Sequence, residues 1–349
     1  MFALSILSPS MARPLRIEYA GAVYHVMARG NQGQSIFGDD KDRQRFLETL
    51  GEACGKTGWW IHAYVLMDNH YHLLVETPEG NLVAGMKWLQ GTYTQRHNRR
   101  HKVFGHLFQG RYKAVVIDGQ SPAYFEVVGT YIHLNPARAG LIRPGEEPLR
   151  RYRWSSYPWY LKPAGQGPPW LRRGRVLEGL RLTEKNRQGY EAYMESRVLE
   201  LGLKAGRQEL EEKWGALRRG WYVGGEGFFD RLKEKLGALV AGRKRESHSG
   251  GARRAHGEAA AQTLLARGLA ALELSPSDLE GLPKGAPEKT VLAWWLRERT
   301  TVSLSWVGQR LDMGHYTRVT QAVSRMTRPP GRKLQKLKRC LLNMEERTA

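Results

Sequence analysis

Met67-Asp68-Asn69-His70-Tyr71-His72-Leu73-Leu74-Val75-Glu76 reads as a tight turn feeding a strand. Asp68-Asn69 suits a two-residue reversal, since both residues tolerate positive φ. Residues 70–76 are rich in aromatic, β-branched and large apolar side chains, the composition of a strand. Side chains on a strand alternate with a period of two. His70 and His72 therefore share one face, and Tyr71 and Leu73 the other. Two imidazoles side by side on a rigid strand make half of a divalent-metal site.

Working outward, Ala22 to Arg29 reads as a first strand, closed by Gly30-Asn31. Asp39-Asp40 can cap a helix running to about Cys54, with Phe46, Leu47 and Leu50 on one face. Trp59 to Met67 is a second strand. Asn81 to Arg100 is a helix with Leu82, Met86, Leu89 and Tyr93 at helical spacing, and its end is basic. Arg111 to Asp118 alternates as a strand. A helix then starts at Ser121 or Pro122 and stops near Asn135, because Pro136 disfavours helical geometry in the residue before it. The order β-α-β-β-α-β is the ferredoxin-like split βαβ arrangement. It predicts an α+β domain with helices on one face of an antiparallel sheet and the other face free to hold a site.

Composition narrows the partners of such a fold. Lys and Arg number 55 against 34 Asp and Glu, a formal net charge of +21 among 349 residues. That excess favours a polyanion, nucleic acid ahead of a membrane surface. The two cysteines, Cys54 and Cys340, exclude a disulfide framework or a cysteine zinc cluster and fit a reducing cytoplasm, with nucleoid association expected of a DNA-binding chain. No apolar run approaches the roughly 18 residues of a membrane span. Met1 to Ser10 lacks a basic n-region, so a start at Met11 is the expectation rather than a signal peptide.

The histidine pair needs completing. In Gly129-Thr130-Tyr131-Ile132-His133-Leu134-Asn135-Pro136, Tyr131 and Asn135 are four residues apart and share a helix face. Asn135 offers an amide oxygen as a third ligand. Tyr131 offers a phenol able to attack a phosphodiester polarised by a metal, leaving a phosphotyrosine link. Two imidazoles and an amide oxygen suit Mg²⁺ or Mn²⁺. Taken singly, each signal has an ordinary structural reading: a strand His-x-His, a packed Tyr, an Asn stopping a helix.

Five ordered motifs carry a family resemblance over about Arg13 to Tyr160: residues 24–31 (YHVMARGN), 68–74 (DNHYHLL), 105–112 (GHLFQGRY), 131–140 (YIHLNPARAG) and 154–157 (WSSY). They resemble the IS200-like transposases with a single catalytic tyrosine, in the branch called REP-associated tyrosine transposases. The resemblance implies an HUH endonuclease, its motif being His70-Tyr71-His72. It implies that His70 and His72 bind metal and that Tyr131 attacks single-stranded DNA at hairpins, leaving a 5′-phosphotyrosine and a free 3′-hydroxyl. Asn135 stands where the insertion-sequence branch has a Gln ligand. Arg29, Asn31, Arg111 and Lys113 are candidate DNA contacts, with sheet-edge salt bridges as the rival reading.

Beyond this, residues 161–240 read as a helical connector region, 241–257 as a basic Gly/Ser-containing linker, and 258–349 as helical. There Leu292, Trp295 and Leu296 form a stripe. Ser303 to Leu311 is a short helix, Met313-Gly314-His315 a turn, and Thr317 to Met326 a second helix with Val319, Val323 and Met326 facing in. This is a helix-turn-helix pattern. Its exposed His315, Arg318, Gln321 and Arg325 are candidate readers of base edges or phosphate in duplex DNA. The segment resembles the C-terminal DNA-binding domain of bacterial replication initiators, with His315-Tyr316 where that family carries an acidic residue and a histidine. The expected partners are single-stranded DNA hairpins and, through these helices, duplex DNA, bound by a monomer or homodimer with no membrane involvement. The rival readings are a non-catalytic regulator keeping the transposase fold, a replication initiator or relaxase of the same class, and an RNA-binding domain.

Overall fold

The computed structural model describes residues 17–215, 217, 220–240, 251–327 and 329–346. Its centre is a mixed five-stranded sheet in the order β2-β3-β1-β4-β5. The strands are β1 (Ala22–Arg29), β2 (Trp60–Leu66), β3 (His70–Thr77), β4 (Lys113–Ile117) and β5 (Tyr222–Val223). The first four pair antiparallel, and β5 adds to β4 in parallel. That fifth strand falls inside the span expected to be wholly helical.

Alternation along each strand builds two cores. On one face Tyr24, Val26, Tyr71, Leu73 and Val75 meet Phe46 and Leu50 of α1 (Asp40–Thr57) and Leu82, Met86, Leu89 and Tyr93 of α2 (Leu82–His101). Fully burying such a side chain is worth roughly 1.5–3 kcal/mol, so this contact fixes which way β3 faces. Asp39 caps α1 by accepting from the backbone N–H of Asp42 at 3.0 Å. The other face is not free, contrary to the expectation. Val23, Leu74, Val115 and Ile117 lie under α3 (Pro122–His133), and residues 161–217 pack into the same core through Val176, Tyr190, Met194, Val198 and Trp214. A Cβ at Gly129 would come within 2.7 Å of Val176, so glycine lets α3 seat the helix Gly174–Gly179 closely.

The turn before β3 also departs from expectation. Neither Asp68 nor Asn69 takes positive φ. The reversal is instead clamped from outside. Asp68 O accepts from Ile36 N at 2.9 Å, Asn69 O accepts from Gly30 N at 2.8 Å, and Asn69 Nδ2 donates to Gly33 O at 3.1 Å.

The helix stops near the expected place, at His133, but Asn135 is itself helical and opens a further turn, α4, over Asn135–Arg138 in spite of Pro136. His133 anchors α3: its Nδ1 lies 2.7 Å from Tyr190 Oη and its Nε2 2.6 Å from Ser156 Oγ. Two of the five motifs thereby meet in one buried cluster.

The C-terminal helices hold a third core around Leu292, Trp295, Leu296, Val307, Val319 and Met326. Within it, Leu304–Arg310, capped by Ser303, is followed by a turn with Gly314 at φ +76° and then by Thr317–Thr327. Val319, Ala322 and Met326 are the buried positions of that last helix, whereas Val323 is half-buried. His315, Arg318, Gln321 and Arg325 are exposed. Of the span 241–257, residues 241–250 lie outside the described residues, and a helix over Gly251–Ala271 begins within it. Met1 and Met11 also lie outside the described residues.

Candidate active site

Because β1 and β3 run antiparallel with Arg29 opposite His70 and Met27 opposite His72, one sheet face carries His70, His72 and His25. The rings of His70 and His72 are 5.1 Å apart and nearly perpendicular, at 87°. His70 Nδ1 lies 2.8 Å from Asn69 Oδ1, and His72 Nδ1 lies 2.9 Å from His25 Nε2. Both Nδ1 positions are thus engaged, so each ring would offer a metal its Nε2.

Burial lowers the pKa of both rings, with further lowering of His70 by Arg29 and Arg138 and of His72 by His25, His70 and Arg138. Both are therefore neutral at pH 7, the form that ligates metal. His25, wholly buried and near Lys113, is pushed down to about 3.

Helix α3 delivers Tyr131 to this cluster. Its ring is 5.6 Å from His72 and 5.4 Å from His25, edge-on to both. The far side is covered by Trp214 at 5.4 Å and by the Arg138 guanidinium at 4.8 Å. Tyr131 is only 3% exposed. Asn135, also buried, donates from Nδ2 to Tyr131 O at 2.8 Å, and its Oδ1 faces Arg138 Nη1 at 3.4 Å. Its amide oxygen is therefore turned toward a cation of the protein. Arg138 is itself paired with Glu211 at 2.8 Å.

The histidine pair thus fits a divalent cation, with two neutral imidazoles whose outer nitrogens are already oriented. Asn135 fits as a ligand only after exchanging its Arg138 contact. Arg29 and Arg111 are exposed at the same end of the sheet and pair with no acidic side chain among the described residues, while Asn31 and Lys113 are half-buried. The C-terminal candidates, His315, Arg318, Gln321 and Arg325, are exposed on a turn and helix that pack on a separate core.

Three neighbours escaped the sequence reading. His25 lies two and four residues before Met27 and Arg29 on a strand, so period two could have placed it on the histidine face. Arg138 sits within the motif at 131–140. Trp214 lies 83 residues beyond Tyr131, and nothing local points to it.

Residues 18–135 match the family model described as Transposase IS200 like. A search of curated proteins found no match to this chain. Among solved structures, one titled "Structure of the REP associates tyrosine transposase bound to a REP hairpin" aligns at 15% identity and a TM-score of 0.38. The alignment covers 46% of this chain and 92% of that one. Residues 18–135 of this chain are thus similar to the IS200-like transposases.

Proposed function

We propose that this domain is a metal-dependent single-strand DNA nuclease and strand transferase acting beside hairpins, with Tyr131 as nucleophile. The observation that carries this reading is the approach of Tyr131, 59 residues downstream, to within 5.6 Å of the His72 ring, which itself lies 5.1 Å from His70. In this reading His70 and His72 hold Mg²⁺ or Mn²⁺ through Nε2, with Asn135 as the third ligand. When bound, such a cation withdraws charge from a phosphate oxygen and so favours attack by oxygen nucleophiles.

The remaining work falls to side chains of the chain. Arg138, exchanging Glu211 for DNA, meets the phosphate and uncovers the tyrosine. The Tyr131 phenol gives its proton to solvent as its oxygen attacks phosphorus, the bond to the 3′-oxygen breaks, and that oxygen takes a proton from solvent and leaves as a hydroxyl, with no net change in protons. Return attack by a 3′-hydroxyl on the phosphotyrosine releases Tyr131 and rejoins DNA.

Arg29, Asn31, Arg111 and Lys113 would bind the DNA flanking the cut. Residues 258–349, with His315, Arg318, Gln321 and Arg325 on an exposed helix and turn, would add duplex contacts. In this division 11–160 is the nuclease domain, and 161–240 supplies the cover of its site rather than a spacer.

A second reading, a non-catalytic DNA-binding regulator, is favoured by one observation: Tyr131 is buried behind Trp214. One assay decides between them. Labelled single-stranded hairpin DNA from the flanks of the gene is incubated with protein and Mg²⁺ or Mn²⁺ and run on a denaturing gel. The proposal expects a metal-dependent covalent adduct that disappears in Tyr131→Phe. An adduct surviving in Tyr131→Phe moves the chemistry to another residue. Tight binding with no adduct establishes the regulator.

A further inference from the structure

On the opposite face of the sheet from Tyr131, the first turn of α1 meets the last turn of α2. His97 and His101 are four residues apart on α2 and project together, their ring centroids 4.4 Å apart. Both point at Asp42 of α1. Asp42 Oδ2 lies 2.7 Å from His101 Nε2 and 3.9 Å from His97 Nε2. Among the described residues these are the three His, Cys, Asp or Glu side chains whose ligand atoms all fall within 4.8 Å of one another.

We propose that Asp42, His97 and His101 form a second, structural metal site, selective for a zinc-like divalent cation. The spacing of the three ligand atoms already suits such an ion. Tetrahedral Zn²⁺ with bonds of about 2.0–2.2 Å holds its ligand atoms about 3.3 Å apart. The two observed separations straddle that value, so a shift of about 0.6 Å in each would seat the ion. The 3.9 Å gap is too long for a hydrogen bond, and a cation would close it.

The surroundings of the Asp42 carboxylate prepare it as a ligand. Its side chain is 2% exposed, and its other oxygen, Oδ1, is held by Arg100 at 2.5 Å. Oδ2 also accepts from Gly38 N–H at 2.8 Å. Arg100 is paired in addition with Asp39, so the guanidinium is neutralised by a second carboxylate. The ligand oxygen is thus oriented by its neighbours, as metal-binding carboxylates are.

The hydrogen bonding of His101 leads to the same ion. His101 Nε2 faces the acceptor Oδ2 at 2.7 Å and the donor Arg100 Nη1 at 3.3 Å. Without a cation, a proton must sit on Nε2 to bridge the carboxylate. A metal takes the Nε2 lone pair instead, with the ring proton moved to Nδ1, and gains His97 as a further ligand. Two imidazoles, one carboxylate and a water form the donor set of zinc rather than of magnesium.

Such an ion would tie α1 to α2. Arg43, next in sequence to Asp42, pairs with Asp68 at 2.5 Å in the turn that presents His70. The clamp would therefore stiffen the base of the histidine strand. The proposal does not depend on the nuclease reading.

The test uses the full-length chain, stripped with a chelator, carrying His70→Ala and His72→Ala to silence the other pair. It is titrated with Co²⁺ and followed by visible absorption, then with competing Zn²⁺. We expect one equivalent with intense tetrahedral bands, displaced by zinc. The His97→Phe variant should weaken binding at least ~10-fold, and His97→Phe with His101→Gln should abolish it. Zinc should raise the melting temperature of the parent and leave that of the double variant unchanged. Wild type should take up the same equivalent in addition to any bound by His70 and His72, which covers the case in which the alanine background folds poorly. Absence of tetrahedral bands, or bands that persist in the double variant, would overturn the proposal.

Discussion

Replacing His25 with phenylalanine separates metal binding from stability. His25 Nε2 lies 2.9 Å from His72 Nδ1, with the rings stacked 5.0 Å apart at 24°. Two tautomer pairs satisfy this bond. In one, His25 donates, and His72 then carries no proton on Nδ1 and one on Nε2, which cannot ligate. In the other, His72 donates from Nδ1 and its Nε2 lone pair is free for a metal. The second arrangement forces the His25 proton onto Nδ1, a buried atom with no hydrogen-bond partner. An orphaned buried donor costs about 1–3 kcal/mol. The chain therefore carries a local instability that makes sense if His25 positions His72.

Phenylalanine keeps the ring and the stack, removes the acceptor, and exchanges the orphan on His25 Nδ1 for one on His72 Nδ1. Loss of an outer-shell partner typically weakens metal binding about 10–100-fold, equivalent to about 1.4–2.7 kcal/mol. The two orphan costs offset, so the metal-free variant should be about as stable as the parent. Mn²⁺ binding, measured by electron paramagnetic resonance in a His97→Phe/His101→Gln background, and thermal melting without metal together read both effects. A folded His25→Phe variant with unchanged Mn²⁺ affinity would refute the positioning role. A large loss of stability in the absence of metal would refute the orphan argument.

Other consequences stem from burial. His25 and His133 both have folded pKa values pushed down to about 3 by desolvation. Below the ordinary value near 6.5 the unfolded chain takes up protons that the native chain does not. Stability is then complete above about pH 6.5 and falls with acidification toward pH 3, by about 1.4 kcal/mol per pH unit for each ring. Urea titrations between about pH 6.5 and 5, above the carboxylate range, should show the decline, and a flat profile would contradict it. Gly85→Ala should destabilise by roughly 1–3 kcal/mol, despite the ~1 kcal/mol helix preference for alanine. The new Cβ would meet Trp59 Cζ2 at 2.1 Å, and that ring is pinned by its Nε1 hydrogen bond to Asn81. A raised urea midpoint would show that the ring can move. Arg318→Ala with Arg325→Ala should weaken duplex binding and flatten its salt dependence by about two phosphate contacts, measured by fluorescence anisotropy across a salt series. An unchanged slope would remove these residues from the interface.

Much of this was legible in the chain itself, because it depends on local periodicity. Period two put His70 and His72 on one face and Tyr71 and Leu73 on the other, and the cores respect that division. Asp39 as a cap, Tyr131 and Asn135 one turn apart, and Ser303 opening a helix are all short-range relations, set by hydrogen bonds within four residues. Where the reading failed, the deciding partner was distant. The Asp68-Asn69 turn avoids positive φ because Ile36 and Gly30 supply its donors. The histidine face is covered because Tyr190, Met194 and Trp214 complete a core begun by β1 and β4. His25 reaches His72 across a strand register, Arg138 is turned by Glu211, and Asp42 meets His101 only when two helices pack. Side-chain period and capping are written residue by residue. Which faces meet is decided by burial summed over the whole chain, and the electrostatic surroundings of each candidate residue are decided with it.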